Sequence, residues 1–197
     1  MKSDIRKALV FLILMTILTG FIYPVLTTGI ARIILPEKAS GSLIRNNGKI
    51  LGSELLGQRF DSSIYFWPRP SASNYETVPS GASNLGPTSM ILKNAVHNRI
   101  LSFASGNLVS DTLEIPPDML FASASGLDPD ISPASALLQV KRISKARNFD
   151  RENTDKLYDL VNELTEKPQF MIFGTKRVNV LKLNIELDKR FVSDNGK

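Results

Sequence analysis

No cysteine occurs anywhere in the 197 residues, and there is a single histidine, His97. The first absence excludes disulfides and thiolate metal sites, and the second excludes a histidine-rich metal cluster. There is no Gly-rich phosphate loop of the Walker type and no GxGxxG turn. No serine stands in a nucleophile-elbow context, and a Ser-His-Asp triad would have to be built on His97. Carboxylates are not spaced as in a calcium loop. Basic runs are missing too. The formal charge is +5; Lys2, Arg6 and Lys7 against Asp4 contribute +2 of it, and the remaining +3 is spread thinly over the rest of the chain with no basic stripe for nucleic acid. What remains is a chain of ordinary globular composition, long enough for one domain with its own core, and without a site for autonomous catalysis.

What is present begins at the N-terminus. From Ala8 to Ala31 no residue is charged. As a helix this stretch covers about 36 Å at roughly 1.5 Å per residue, enough to cross a hydrocarbon core of about 30 Å with some tilt. Pro24 and Gly29 fall near its far end, where a kink is tolerated, and Tyr23 suits an interface. A cleaved leader is the competing reading, with Gly29-Ile30-Ala31 as a small-x-small site. Leader cores run about 7–15 residues, so the length favours a retained anchor. The expected layout is residues 1–7 cytoplasmic, 8–31 spanning, and 32–197 a soluble domain. Basic residues flank the span on both sides, Lys2, Arg6 and Lys7 before it and Arg32, Lys38, Arg45 and Lys49 after it, so charge alone assigns no orientation.

Beyond the anchor, Asn47-Gly48 suits a type I′ turn and predicts a hairpin with strands near Ser42–Arg45 and Lys49–Gly52. "SSIYFWPRPS" is rich in aromatic and β-branched residues and predicts a strand stopped by Pro68 and Pro70. A polar loop from Arg69 to Ser89 follows, of a length usually functional or disordered. Thr88 is a candidate cap for a helix over Ser89–Ala104, with Ile91, Leu92, Ala95, Val96, Arg99, Ile100 and Phe103 on one face and His97 off it, exposed. A further helix is predicted over Arg151–Lys167, with Leu157, Leu160, Val161 and Leu164 inward and Pro168 ending it. "KRVNVLKLNIELDKRF" alternates Leu181, Leu183, Ile185 and Leu187 against Lys182, Asn184 and Glu186, which predicts a strand with one buried face. The fold class is therefore α+β: a small β-sheet with packed helices, behind one transmembrane helix.

The segment "SASGLDPDISPASALLQ" (123–139) raises the question of a chemical site. Asp128-Pro129 reads as a turn, because the residue before proline avoids the α region. Ser132-Pro133 reads as an N-cap followed by proline at the first helical position. Ala136, Leu137, Val140 and Ile143 then form a stripe, and Lys141, Arg142, Lys145 and Arg147 load the C-terminal half as the helix dipole prefers. Asp128 and Asp130 are an acid–base or cation-binding candidate pair, but turn and cap duty accounts for both.

Taken in order, "YFWPRPSASNY", "GASNLGPTS", "ASGLDPDISPASALLQVKRISKAR" and "RVNVLKLNIELD" behind an N-terminal anchor resemble the KdpC family, one of the components of the Kdp potassium-transporting ATPase. The resemblance runs from the anchor to about Asp188. It implies a non-catalytic subunit of an ATP-driven potassium importer, in which a channel-like subunit (KdpA) carries potassium and a P-type ATPase subunit (KdpB) hydrolyses ATP. A small membrane peptide completes that complex. The resemblance further implies a single-pass protein held in membrane lipid, with its domain extracytoplasmic, on the outer face. It also implies a role in raising the ATP affinity of the ATPase subunit, with direct nucleotide contact proposed for the family. The chain has no phosphate-cradling loop and no Asp-Lys-Thr-Gly-Thr, and an outer domain would not meet cytosolic ATP, so the two implied properties oppose each other.

The matching residues are Arg69, Ser71, Ala72, Ser83, Asn84, Leu85, Gly86, Pro87, Ser125, Gly126, Leu127, Asp128, Pro129, Ser132, Gln139, Arg142, Ala146, Arg147, Asn179 and Asn184. Side-chain-to-backbone hydrogen bonds from Ser, Asn and Asp favour scaffolding for most of them over ligand contact. Two departures from the family pattern are Pro68, where glycine is usual, and Asp130, where histidine is usual. Two other classes fit the residues less well. They are an anchored extracytoplasmic binding module unrelated to transport, and a secreted hydrolase, which the lone His97 disfavours.

Overall fold

The computed structural model describes residues 2–46 and 48–191, and it divides into two compact units, Met1–Ser53 and Glu54–Lys197.

The first unit is a helical rod and a hairpin. Helix α1 (Lys2–Ile17) passes through one π-helical turn (Leu18–Ile22) into α2 (Tyr23–Ile34). Tyr23 N–H reaches back to Leu18 O, the i→i−5 bond of a π-turn, immediately before Pro24, which has no N–H to offer. Ser3–Ile34 is long and apolar enough to cross a membrane, and its large apolar side chains, such as Phe11, Leu14 and Phe21, point outward. Three of its hydroxyls are satisfied internally: Thr16 Oγ1 donates to Leu12 O (2.8 Å), Thr19 Oγ1 to Met15 O (2.7 Å) and Thr27 Oγ1 to Tyr23 O (2.9 Å). Lipid demands this, since it supplies no hydrogen-bond partners. A short helix, α3 (Pro36–Ala39), leads to β1 (Leu43–Asn46) and β2 (Lys49–Ser53), antiparallel, with Asn46 opposite Lys49. The predicted hairpin is there. Gly48 has φ +77°, the left-handed backbone that a type I′ turn requires, while its partner Asn47 lies outside the described residues.

The second unit packs helices around short β-bridges. In order come α4 (Met90–Asn107), a 3₁₀ turn (Thr112–Glu114), α5 (Pro117–Leu120), β3 (Asp130–Ile131), α6 (Pro133–Ala146), α7 (Arg151–Glu163), β4 (Val178–Asn179) and α8 (Val180–Arg190). Strands β3 and β4 pair antiparallel, Asp130 opposite Asn179. The core joins Phe66, Val140, Ile143, Leu157, Leu160, Val161, Val178, Leu183 and Leu187, all fully buried. Burying each such side chain contributes about 1.5–3 kcal/mol. Helix α6 keeps its predicted cap, the Ser132 hydroxyl accepting from Ser135 N–H (3.1 Å). Helix α7 is capped by Asp150 and ends at Glu163, short of Lys167. His97 is exposed.

Four expectations need correction. The C-terminal segment is a helix, not a strand. Asn179 caps it by accepting from Lys182 N–H (3.1 Å), and Val180, Leu183, Asn184 and Leu187 form its buried face. The alternation of leucines satisfied both periods at Leu183 and Leu187, and the position that separates them is Asn184, 2% exposed where a strand would have turned it to solvent. The Ser62–Ser71 stretch forms no strand. Its backbone is paired by side chains instead, as described below. Helix α4 is capped by Ser89 rather than Thr88, and Ile91 is exposed. Finally, Arg142 does not decorate the dipole of α6. It is 4% exposed, inside the domain.

Candidate functional site

Two of the four sequence motifs are bound directly to each other. Arg69 and Asp128 form an ion pair (2.6 Å), half shielded from solvent. Ser71 Oγ donates to Gly126 O (2.7 Å) and accepts from Tyr75 N–H (2.9 Å) and Ser73 N–H (3.2 Å). Tyr75 Oη donates to Arg69 O (2.6 Å), and burial pushes its phenol up to about 12. Gly126 sits at φ +71°, and a Cβ there would lie 2.5 Å from Ser73 Oγ and 3.0 Å from Gly81 O, so only glycine allows the two loops to close.

Asp128 does the turn work read from its sequence, its Oδ1 accepting from Asp130 N–H (3.1 Å), while its other oxygen holds Arg69. Asp130 pairs with Arg177 (3.2 Å) and accepts from Asn179 Nδ2 (3.3 Å). Burial outweighs that cation and raises the Asp130 carboxyl above its ordinary value. Pro129 O accepts Val180 N–H (3.0 Å), and Asn179 Nδ2 also donates to Glu54 O (2.9 Å). The same aspartate loop is gripped from the other side by Gly57, whose N–H donates to Leu127 O (2.8 Å); a Cβ on Gly57 would meet Asp128 O at 2.5 Å.

The amides and guanidinium groups of the later motifs pin the extended Ser62–Arg69 segment. Phe66 N–H donates to Asn184 Oδ1 (2.8 Å) and Asn184 Nδ2 to Phe66 O (3.0 Å). Trp67 N–H donates to Gln139 Oε1 (2.7 Å) and Gln139 Nε2 to Trp67 O (3.2 Å). Each carboxamide gives this backbone one donor and one acceptor, the same pair an adjacent strand would present. Helices α8 and α6 therefore supply the partners of a missing strand. Arg142 stacks over Trp67 (3.9 Å) and donates to Asn107 Oδ1 (2.8 Å), Gln139 Oε1 (2.7 Å) and Ser63 O (2.5 Å). Burial lowers its guanidinium to about 10. Arg147 donates to Ile64 O (2.9 Å) and pairs with Asp188 (2.6 Å), which in turn accepts from Tyr65 Oη (2.8 Å).

The remaining motif residues behave differently. Ser125 Oγ only accepts from Leu127 N–H (3.1 Å) within its own turn. Ser83, Asn84, Gly86 and Pro87 are exposed, and the side chains of Ser83 and Asn84 make no hydrogen bond among the described residues. Asn84 adopts φ +52°. So the motifs divide: one set closes the fold, and the "GASNLGPTS" loop offers its surface outward.

Beside the Arg69–Asp128 pair lies a cleft of about 410 Å³, also lined by Asp118, Asp130, Ser132, Lys176 and Arg177. Its lining carries three carboxylates and three cations, of which Lys176 makes no ion pair among the described residues, so it does not resemble a cation cage. No group of three or more metal-ligating side chains occurs among the described residues. Sequence reading missed Asp118, which accepts from Ser132 N–H (2.7 Å) and Ser135 Oγ (2.8 Å), and also missed Gly57, Asn107 and Tyr75. Only Tyr75 carried a signal, as the last residue of a quoted motif; the rest act across long sequence separations.

A family model described as "KdpC: K+-transporting ATPase, c chain" matches residues 5–189. The chain belongs to the KdpC family. Among curated KdpC subunits of potassium-transporting ATPases, that of Polynucleobacter asymbioticus is 44% identical over 191 residues, 95% of this chain and 99% of the relative. That of Methylococcus capsulatus is 43% identical, covering 95% and 98%. A Janthinobacterium KdpC subunit is 43% identical, covering 96% and 100%. The KdpC match thus extends over both structural units, the apolar helix included.

Proposed function

We propose that the chain is the accessory, non-catalytic subunit of a potassium-importing ATPase. Its N-terminal helix crosses the membrane once, and the unit from Glu54 onward lies on the outer face. There it assembles with a channel-like KdpA subunit, a P-type KdpB subunit and a small membrane peptide. The observation that carries this reading is the division of the motifs within a family-wide match. Arg69, Gly126, Asp128, Gln139, Arg142, Arg147, Asn179 and Asn184 are used up in closing the fold, whereas Ser83, Asn84, Gly86 and Pro87 are presented to solvent. Motif side chains that bond nothing in their own domain, as those of Ser83 and Asn84, are suited to a partner protein.

On this reading, an increase in the ATP affinity of the ATPase subunit is transmitted through protein–protein contact. In the cleft beside Arg69 the backbone N–H groups of Asp130 and Ser132 are already taken by the carboxylates of Asp128 and Asp118, where a phosphate cradle would need them free. The test is a pair of charge-bulk substitutions, Ala82→Arg with Ser83→Arg, both exposed and at ordinary backbone angles, in the full complex. We expect loss of co-purification with the other subunits and loss of potassium uptake, at an unchanged melting temperature of the purified chain. Full uptake and intact assembly in this variant would refute the loop as the partner-facing surface.

A further inference from the structure

Between α7 and β4 the chain forms a narrow hairpin whose purpose the fold does not explain. At its base Glu166 and Arg177 exchange backbone hydrogen bonds (2.8 and 3.2 Å), and near its tip Gln169 and Phe173 do the same (2.8 and 2.9 Å). The tip is Phe170-Met171-Ile172-Phe173, with side chains 79, 79, 78 and 66% exposed. Phe170 and Met171 both hold positive φ, +54° and +63°. That backbone belongs to glycine and asparagine, and bulky apolar residues seldom adopt it. A turn built of the least suitable residues, with four large apolar side chains in water, serves something outside the domain.

Charge indicates what. Lys167 and Lys176 flank the tip, both exposed and without an ion pair among the described residues. The other charges at the base are engaged with one another: Arg177 pairs with Asp130 and Glu166, and Lys182 with Glu54 and Glu166. An apolar point between two free lysines complements the boundary of a bilayer, where acyl chains take the apolar side chains and anionic headgroups take the ammonium groups. The tether permits it. Ile34 closes the apolar helix and Glu54 opens the second unit, so the linking chain reaches no further than about 70 Å even if fully extended.

We propose that the Phe170–Phe173 tip seats in the headgroup–acyl boundary of the membrane, giving the chain a second, reversible membrane contact besides its helix. This rests on the reading of that helix as an anchor. Because the chain has no cysteine, Met171→Cys creates a unique site for an environment-sensitive fluorophore, and His97→Cys on α4 creates a control. The full-length chain is reconstituted in liposomes of phosphatidylethanolamine and phosphatidylglycerol, three to one, and floated. We expect a blue-shifted emission and several-fold stronger quenching by brominated lipid at position 171 than at 97. Adding Phe170→Ser and Phe173→Ser should abolish both effects while the melting curve stays unchanged. Lys167→Gln with Lys176→Gln should weaken quenching most in phosphatidylglycerol-rich vesicles. A chain that floats while its label at 171 stays as open to aqueous iodide as the label at 97 overturns the proposal. So does a label shielded only after the other subunits are added, which would make the tip a protein contact. A chain that fails to float refutes the anchor itself.

Discussion

At the residue scale, the carboxamides of Asn184 and Gln139 carry more of the fold than their side-chain chemistry suggests. Asn184→Ala leaves both the N–H and the C=O of Phe66, a fully buried residue, without partners. Each orphan costs about 1–3 kcal/mol, so we expect a loss of roughly 2–6 kcal/mol in the unfolding free energy, measured by denaturant melting in detergent. Ser132→Ala should cost about 0.5–2 kcal/mol as a lost cap. Asp128→Asn should cost less than a charge reversal there, because asparagine keeps the turn bond to Asp130 N–H and surrenders only the half-exposed pair with Arg69. Asp130 has a pH signature. Its folded carboxyl titrates above the ordinary value, so the unfolded chain loses this proton first. Its contribution is therefore full below the unfolded value near pH 4 and declines as pH rises through the folded one. Asp130→Asn should leave stability at pH 7 unchanged or raised relative to the native chain, with the difference vanishing near pH 3; melting curves at the two pH values check this. A native chain clearly more stable than the variant at pH 7 would mean that the Arg177 pair, not burial, dominates.

At the element scale, the Ser62–Arg69 segment behaves as a strand whose neighbours are side chains. Pro68 removes a ladder donor from it and Pro70 another just beyond, and a second strand alongside would find no N–H to bond at those positions. Side-chain partners on α6 and α8 need only bond the residues that still have N–H groups. The arrangement ties the helices to the loop face, because Gln139 and Arg142 on α6 hold Trp67 and Ser63, two to six residues before Arg69. Arg142→Lys keeps the charge but not the planar fork that reaches Asn107, Gln139 and Ser63 together. We expect it to destabilise the domain by about 2–3 kcal/mol through lost charge-assisted hydrogen bonds, and to raise tryptophan fluorescence quenching at Trp67, the only tryptophan, by acrylamide. An unchanged quenching constant would contradict that role.

At the scale of the whole molecule, the KdpC-family chain divides into two units of different character. Its first unit holds a helix suited to a bilayer, and its second keeps a closed hydrophobic core beneath loops that face outward. Gly126→Ala tests whether the loop face is a preformed surface. The added Cβ collides with Ser73 Oγ and Gly81 O at positive φ, so the loops must part. We expect a modest stability loss of about 1–3 kcal/mol, accompanied by weakened assembly with the other subunits in pull-downs from detergent. Assembly at native strength would show that partners tolerate a rearranged loop face. Purified alone, the full-length chain should hydrolyse no ATP above a mock preparation, since it offers neither a phosphate loop nor an aspartyl-phosphate motif.

Local chemistry alone was enough for the apolar helix, the hairpin, the Ser132 helix start and the Asp128 turn. Uncharged length, Asn-Gly, Ser-Pro and Asp-Pro each act within a few residues of themselves. The four ordered motifs were likewise enough for the family. The sequence could not decide what Asn184 faces, because leucines two apart fit a strand and a helix equally until Phe66, 118 positions away, is brought against it. Nor could it separate the motif residues that close the fold from those that face outward, since serine, asparagine and arginine look alike in either role. Arg142 read as a surface cation on a helix end until Trp67 and Asn107 enclosed it. Even the Phe170–Phe173 run read as nothing in particular. Only the folded chain, by leaving those four side chains without a core to join, made them a feature.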